Sequence, residues 1–198
     1  MPTPVILLAS ASPRRSELLR QIGVAHAVRP VNVDESVLPG EAPSAYVLRL
    51  AEAKAAELWS RLDERERRPV LAADTTVALE GVIFGKPVDA ADARAMLGRL
   101  SGRTHEVHTA VAVRHAGGAA ARVSSSHVSL RELTAAEIDA YWATGEPADK
   151  AGGYAVQGRA AVFIRHIAGS YSGIMGLPLY ETWELLAPVL GQTGSPPA

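Results

Sequence analysis

The order of elements in the sequence predicts an α/β fold. Short apolar strand runs alternate with amphipathic helical runs in the first half, a long antiparallel hairpin fills the middle, and an amphipathic helix closes the chain. With 198 residues, 47% of them hydrophobic, the chain can bury a full core, and its length favours one domain with room for two lobes around a cleft. Residues 1–190 are taken as that domain, and the Gly/Pro/Ser-rich stretch from Gly191 to Ala198 as a loose tail.

Val5 to Ala9 reads as a buried strand, followed by a helix from Pro13 to about Ile22 with Leu18, Leu19 and Ile22 as its core stripe. Ser12 suits the N-cap and Pro13 the first helical position, so Arg14 and Arg15 fall in the first turn, where the helix dipole repels cations. A bound phosphate reverses that sign, because it accepts from the free N–H groups and from both guanidinium forks. The segment therefore reads as a phosphate cradle. Neither GxxxxGK[ST] nor GxGxxG is present, which removes the main support for the usual ATPase and dinucleotide readings.

A second strand is expected over Ala25 to Val31, then an acidic turn from Asn32 to Gly40 carrying Asp34 and Glu35. Pro43 or Ser44 opens a long helix with Val47, Leu50, Ala51 and Leu58 on one face, and Lys54 falls on that face too. Either the Lys54 stem packs while its ammonium snorkels to water, or the ammonium points into a polar cleft; spacing leaves both open. The run Arg61 to Arg68 alternates charges and reads as a solvated helix end or loop.

Val70 to Leu79 is a strand pattern in which Asp74 interrupts an apolar run. A carboxylate inside a sheet needs a cation, a metal or hydrogen bonds, and a position at a cleft explains it. Gly81 predicts a hairpin turn into Val82-Ile83-Phe84, and Gly85-Lys86-Pro87 a tight exit toward a helix capped by Asp89 and packed through Ala93, Met96, Leu97 and Leu100. Thr104 to Val113 and Ala121 to Leu130 form the long hairpin. His105 and His108, three apart, face opposite sides of a strand and do not share an ion. Thr134 caps a helix through Ala135, Ile138, Tyr141 and Trp142. Two glycine-rich loops follow, Lys150 to Gly158 and Gly169 to Leu179, before a closing helix with Leu179, Trp183, Leu186, Ala187 and Leu190 on one face.

Composition excludes several function classes. The formal net charge of −1 leaves no basic excess for a long nucleic acid, so phosphate binding must come from a few placed cations, and a mononucleotide fits best. The absence of cysteine excludes disulfides, thiolate zinc sites and thiol nucleophiles. No apolar run has the length of a signal core or a membrane span, so a cytoplasmic protein with no membrane partner is expected.

LASASPRR, Asp34-Glu35, AEAKA around Lys54, AADTTV, GKP, KAGGYAVQG and GSYSGIMGLPL, in that order from Leu7 to about Leu190, resemble the Maf nucleotide pyrophosphatases. The resemblance implies a fold like that of the inosine triphosphate pyrophosphatases: a mixed central sheet with helices on both faces and a deep cleft between two lobes. It also implies a homodimer. Asp-Thr-Thr-Val and the glutamine of the glycine-rich loop are similar to the branch acting on dTTP and UTP. By the same resemblance Ser10, Arg14 and Arg15 match the phosphate motif, and Glu35, Lys54, Asp74, Lys86 and Gln157 the charged and polar cleft positions. Asp74 corresponds to the proton acceptor, and Arg14, Thr75 and Gln157 to positions linked to base specificity, while Gly173 stands where some relatives carry asparagine.

The implied reaction is attack of water on the α-phosphorus of a nucleoside triphosphate, giving the monophosphate and pyrophosphate. Arg14, Arg15, Lys54 and Lys86 would gather the triphosphate and Asp74 would take the proton from water. A divalent ion on Glu35 and Asp74 would assist; hard oxygen donors favour Mg2+, with Mn2+ or Co2+ as alternatives, although Glu35 serves equally well as a partner for Lys54 or Arg15. Gln157 can pair with a carbonyl and an N–H on a pyrimidine edge, and Thr75 can add a bond. Two other readings stay open: a nucleotide-binding regulator of septum formation with little turnover, and a housekeeping enzyme for modified pyrimidine nucleotides.

Overall fold

The computed structural model describes residues 5–192, so the expected tail lies, beyond Gln192, outside the described residues. In chain order the elements are β1 (Ile6–Leu8), α1 (Pro13–Gln21), β2 (His26–Val28), α2 (Pro43–Ser60), β3 (Val70–Leu79), β4 (Val82–Phe84), α3 (Ala90–Leu100), β5 (Thr104–His115), β6 (Gly118–Leu130), α4 (Ala135–Trp142), β7 (Ile164–Ala168), α5 (Tyr171–Met175) and α6 (Leu179–Val189). The β3 and β4 spans are as the sequence predicts. Strand β2 is shorter than expected, and α5 is an element that the glycines of its loop concealed.

One mixed sheet carries the fold, in the order β2-β1-β3-β5-β6-β7 with β4 also on β3. β1 runs parallel to β2 and β3, and every pairing from β3 onward is antiparallel. Because side chains alternate across a strand, Val70 and Ala72 on β3 pack with Val47, Ala51, Ala55 and Leu58 of α2 on one face. Leu71 and Ala73 face the other way, toward Leu18 and Leu19 of α1 and Leu185 and Leu186 of α6. Farther along that second face, Val77 and Leu79 join Leu97 and Leu100 of α3 and Ile138 and Tyr141 of α4.

Between those last two cores the sheet carries polar side chains. Thr75 is paired in register with Thr109, and Thr109 with Ser124, so a hydroxyl row crosses three strands where apolar packing stops on either side. That row divides the sheet face into the two expected lobes. The edge of β3 is interrupted at the same level: β1 pairs only at Val70 and Leu71, and β4 only at Val77 to Leu79. The gap leaves Asp74 to Thr76 at an open edge beyond the carboxyl end of β1, and ligand sites of open α/β sheets lie outside the carboxyl ends of their strands.

Local chemistry explains the helix boundaries. Asp89 caps α3 by accepting from the Asp92 amide at 2.8 Å, and Thr134 and Glu137 close a reciprocal capping box on α4. At α1, Ser12 holds the N-cap position with extended backbone but makes no side-chain cap bond; its amide instead donates to Ser10 Oγ at 3.2 Å. Glu80 and Gly81 turn the β3–β4 hairpin with φ of 54° and 78°. Among the described residues no helix is long and apolar enough to cross a membrane.

Candidate active site

A cavity of about 580 Å³ opens at the β1–β4 gap. Ser10, Arg14, Arg15, Glu35, Lys54, Asp74, Thr75, Lys86 and Gln157, drawn from six separate stretches of chain, all line it. The residues singled out in the sequence are therefore brought to one hollow.

Asp74 and Lys54 form its centre. Lys54 Nζ donates to Asp74 Oδ1 at 2.7 Å and lies 2.6 Å from Glu35 Oε1. Both Lys54 and Asp74 are only 8% exposed, which removes the snorkelling alternative: the ammonium is held inside by two carboxylates. Burial raises the Asp74 pKa above its ordinary value, and the Lys54 and Arg15 charges offset part of that rise. The buried acid is thus a stronger base than a solvated aspartate.

The two arginines of α1 have different surroundings. Arg15 donates through Nε to the Gly176 carbonyl at 2.8 Å, through Nη1 to Ser10 Oγ at 3.0 Å and through Nη2 to Thr75 Oγ1 at 3.3 Å. Its fork is engaged by neutral protein acceptors, which differs from the expectation that both forks are free for phosphate. Burial lowers the Arg15 pKa, yet an arginine keeps its proton at any ordinary pH, so a cation sits there with no carboxylate of the described residues in direct contact. Among the described residues Arg14 pairs with the exposed carboxylate of Asp149 alone, at 3.6 Å. It stands with the uncapped amides at the start of α1, and that end of the hollow can receive an anion.

Thr75 is tied into the sheet as well as to Arg15. Thr109 Oγ1 lies 2.9 Å from Thr75 Oγ1 and donates to the Gly173 carbonyl at 2.7 Å. A hydroxyl has one proton, so with that proton on Gly173 the Thr75 hydroxyl donates to Thr109 and accepts from Arg15. A chain of bonds then links α1, β3, β5 and α5. Lys86 follows β4, is exposed, and makes no ion pair with a described residue; the Gly152 amide donating to the Gly85 carbonyl at 2.9 Å joins its turn to the first glycine-rich loop. Gln157 is exposed on that loop at the cavity wall.

Tyr46, Asp149, Lys150 and Tyr154 are among the lining residues that went unassigned in the sequence. Tyr46 lies eight residues before Lys54 on α2, a helical spacing that could have found it. Lys150, its neighbour Asp149, and Tyr154 belong to the glycine-rich segment, and Lys150 pairs with Asp149. His105 and His108 have separate partners, Tyr154 Oη at 2.7 Å and Ser125 Oγ at 2.8 Å. Among the described residues no group of three or more His, Cys, Asp or Glu side chains is placed to hold a metal ion by itself.

Comparison with known proteins bears on this geometry. The model of the family described as Maf-like protein matches residues 5–189. A "dTTP/UTP pyrophosphatase" of Bordetella avium is 54% identical over 189 residues, covering 92% of this chain and 94% of the relative. Another so named, from Dechloromonas aromatica, is 51% identical over 191 residues, covering 91% and 95%. Among solved structures, a nucleoside-triphosphatase / dITP/XTP pyrophosphatase from Mycobacterium abscessus aligns with a TM-score of 0.43 at 21% identity, covering 63% of this chain and 73% of that one.

Proposed function

We propose, from the premise that this chain belongs to the Maf-like protein family, that it is a nucleoside triphosphate pyrophosphatase acting on dTTP and UTP, the activity its relatives carry in their names. In this reading a water oxygen attacks the α-phosphorus and the bond to the bridging oxygen breaks. Pyrophosphate leaves, and the proton of the water passes to Asp74. The observation that carries the reading is Asp74 itself, a buried carboxylate of raised basicity held by Lys54 in a hollow that also contains the start of α1.

The remaining residues divide the substrate between them. Arg14, Lys86 and Lys150 surround the space where a triphosphate of about four negative charges fits, and the α1 amides add donors. Lys54 fixes one oxygen of Asp74 and leaves the carboxylate oriented toward the hollow. Gln157 offers an amide to the pyrimidine edge, where a mismatched base leaves that amide without its partner. Thr75 fixes the Arg15 guanidinium beside the space for the phosphates.

The donor set also fits a divalent cation. Glu35 and Asp74 converge on one ammonium, offer hard oxygen ligands only, and match the one or two carboxylates that Mg2+ takes before phosphate oxygens and water complete its shell. We take Mg2+ as the ion, with Mn2+ and Co2+ able to replace it. When bound, it supplies charge neutralisation for the phosphates and a lowered pKa for a coordinated water.

The test is turnover of each common nucleotide in the presence of Mg2+, followed by phosphorus NMR. The expected result is monophosphate and pyrophosphate from dTTP and UTP, with oxygen from labelled water in the monophosphate. Asp74→Asn is expected to lower turnover by about 10²–10⁴-fold with an unchanged circular dichroism spectrum. Release of single phosphate would refute the bond assignment, and tight binding without turnover would favour the regulator reading.

A further inference from the structure

Every residue from Asp34 to Gly40 is exposed, and the two large apolar side chains in that stretch, Val37 and Leu38, are 50% and 51% exposed. Burial of apolar surface therefore does not hold the segment, although Glu35 within it must reach Lys54. Ordering seven residues without a packed anchor is unfavourable unless polar bonds offset the lost backbone freedom.

Apart from local turns in which Asp34 accepts the Ser36 amide at 2.9 Å and the Leu38 carbonyl accepts the Glu41 amide at 3.0 Å, those bonds lead to α2. Arg49 makes a two-pronged pair with Glu41, Nε to Oε1 at 2.6 Å and Nη2 to Oε2 at 2.7 Å, and Nη2 also donates to the Ser36 carbonyl at 2.9 Å. Glu41 Oε2 in turn accepts the Leu38 amide at 3.0 Å. Tyr46 lies under the Arg49 guanidinium at 5.6 Å, and its hydroxyl donates to the Glu35 carbonyl at 2.9 Å.

Glu35 is thus held to one helix twice, by its backbone through Tyr46 and by its carboxylate through Lys54. We propose that Arg49 and Tyr46 are positioning residues that latch the Glu35 loop onto α2, so that one rigid helix sets both Lys54 and the carboxylate facing it. The inference rests on Glu35 working on the triphosphate or its cation.

The latch also keeps its protonation state through the working range. Hydrogen bonding to Arg49 holds the Glu41 carboxyl down to about 2, and burial together with the Asp74 and Glu35 charges pushes the Tyr46 phenol up to about 12. The planar fork matters more than the charge. A lysine at position 49 supplies an ammonium but cannot bridge both Glu41 oxygens in plane while holding the Ser36 carbonyl.

Arg49→Ala, Arg49→Lys and Tyr46→Phe are compared with Glu35→Gln, each alone and in the Glu35→Gln background. Hydrogen exchange over residues 32–41 is followed in parallel. Arg49→Ala is expected to speed exchange in that segment and to lower kcat by about tenfold or more, since displacement of a working group by about 1 Å costs up to a hundredfold. KM should change much less, Arg49→Lys should recover little, and no second loss should appear when Glu35 is already Gln. An unchanged exchange rate, or an equal loss in the Glu35→Gln background, overturns the latch. A wild-type protein without turnover would sink the enzymatic reading instead, and the exchange comparison would still decide whether Arg49 holds the loop.

Discussion

Removing the ammonium of Lys54 with a side chain of similar length, Lys54→Met, isolates the electrostatics at the centre of the hollow. Met matches the length of the lysine stem but leaves Asp74 buried with its nearest cation gone. Breaking one partner of a buried pair costs about 3–5 kcal/mol. We take the lower end, because Glu35 is half exposed and water can enter through the cavity. For a chain of this size a loss of about 3 kcal/mol lowers the melting temperature by roughly 6–12 °C.

The pH dependence of that loss follows from the sign of the Asp74 shift. Its folded pKa already lies above the ordinary 3.8, and the Lys54 charge opposes the rise, so removing Lys54 moves it further up. A raised folded pKa means that the stability contribution of protonated Asp74 is full below 3.8 and is lost as pH rises through the folded value. The deficit of Lys54→Met is therefore complete at neutral pH and shrinks on acidification toward 4, because a protonated Asp74 does not need the cation. Thermal unfolding of both proteins between pH 4 and 8 measures this, and Lys54→Met with Asp74→Asn should recover most of the neutral-pH loss. A deficit that is constant across the range, or none at pH 7, would refute the argument.

Two further outcomes follow from residues the sequence reading left unassigned. Asp149→Asn releases Arg14 from its 3.6 Å pair, and steady-state kinetics should show a KM for triphosphate lowered by at most about fivefold, the gain fading as salt is raised. Gly152→Ala forces a side chain onto a backbone with φ of 69° and sets its Cβ 3.0 Å from the Val77 side chain. Chemical denaturation should show a loss of about 1–3 kcal/mol, and wild-type stability would mean that the loop rearranges freely.

What the sequence revealed and what it concealed have physical causes. Periodicity located β3, α2 and the β5–β6 hairpin because each is long enough for its apolar pattern to repeat several times. Strand β2 and helix α5 have three and five residues, too short for a period to show, and α5 is capped by Ser170, whose hydroxyl accepts the Gly173 amide at 3.0 Å. Asp74 and Lys54 were visible as charges in apolar patterns. Their pairing was not, because periodicity assigns a residue to a face without saying what stands opposite. For Arg15 the signal gave the position but not the partners: Gly176, 161 residues away, and Thr75 are neighbours created only by the tertiary fold.

The placement of Arg15 supports the proposal that the hollow receives an anion. Five cationic and three acidic side chains line it, and the Lys54 ammonium is already shared between Glu35 and Asp74. Asp149, the third acid, is an exposed carboxylate beside Arg14 and Lys150. Arg15 contributes a charge that no carboxylate of the described residues contacts, held in place by a hydroxyl from β3, a hydroxyl from the β1–α1 turn and a carbonyl after α5. Neutral acceptors fix the guanidinium without cancelling its field, so its positive potential persists in the space where a phosphate would lie. A carboxylate in their place would give a more stable apo protein and a weaker site. The hydroxyl row of Thr75 and Thr109, which separates the two cores, thus also keeps this cation in position without neutralising it.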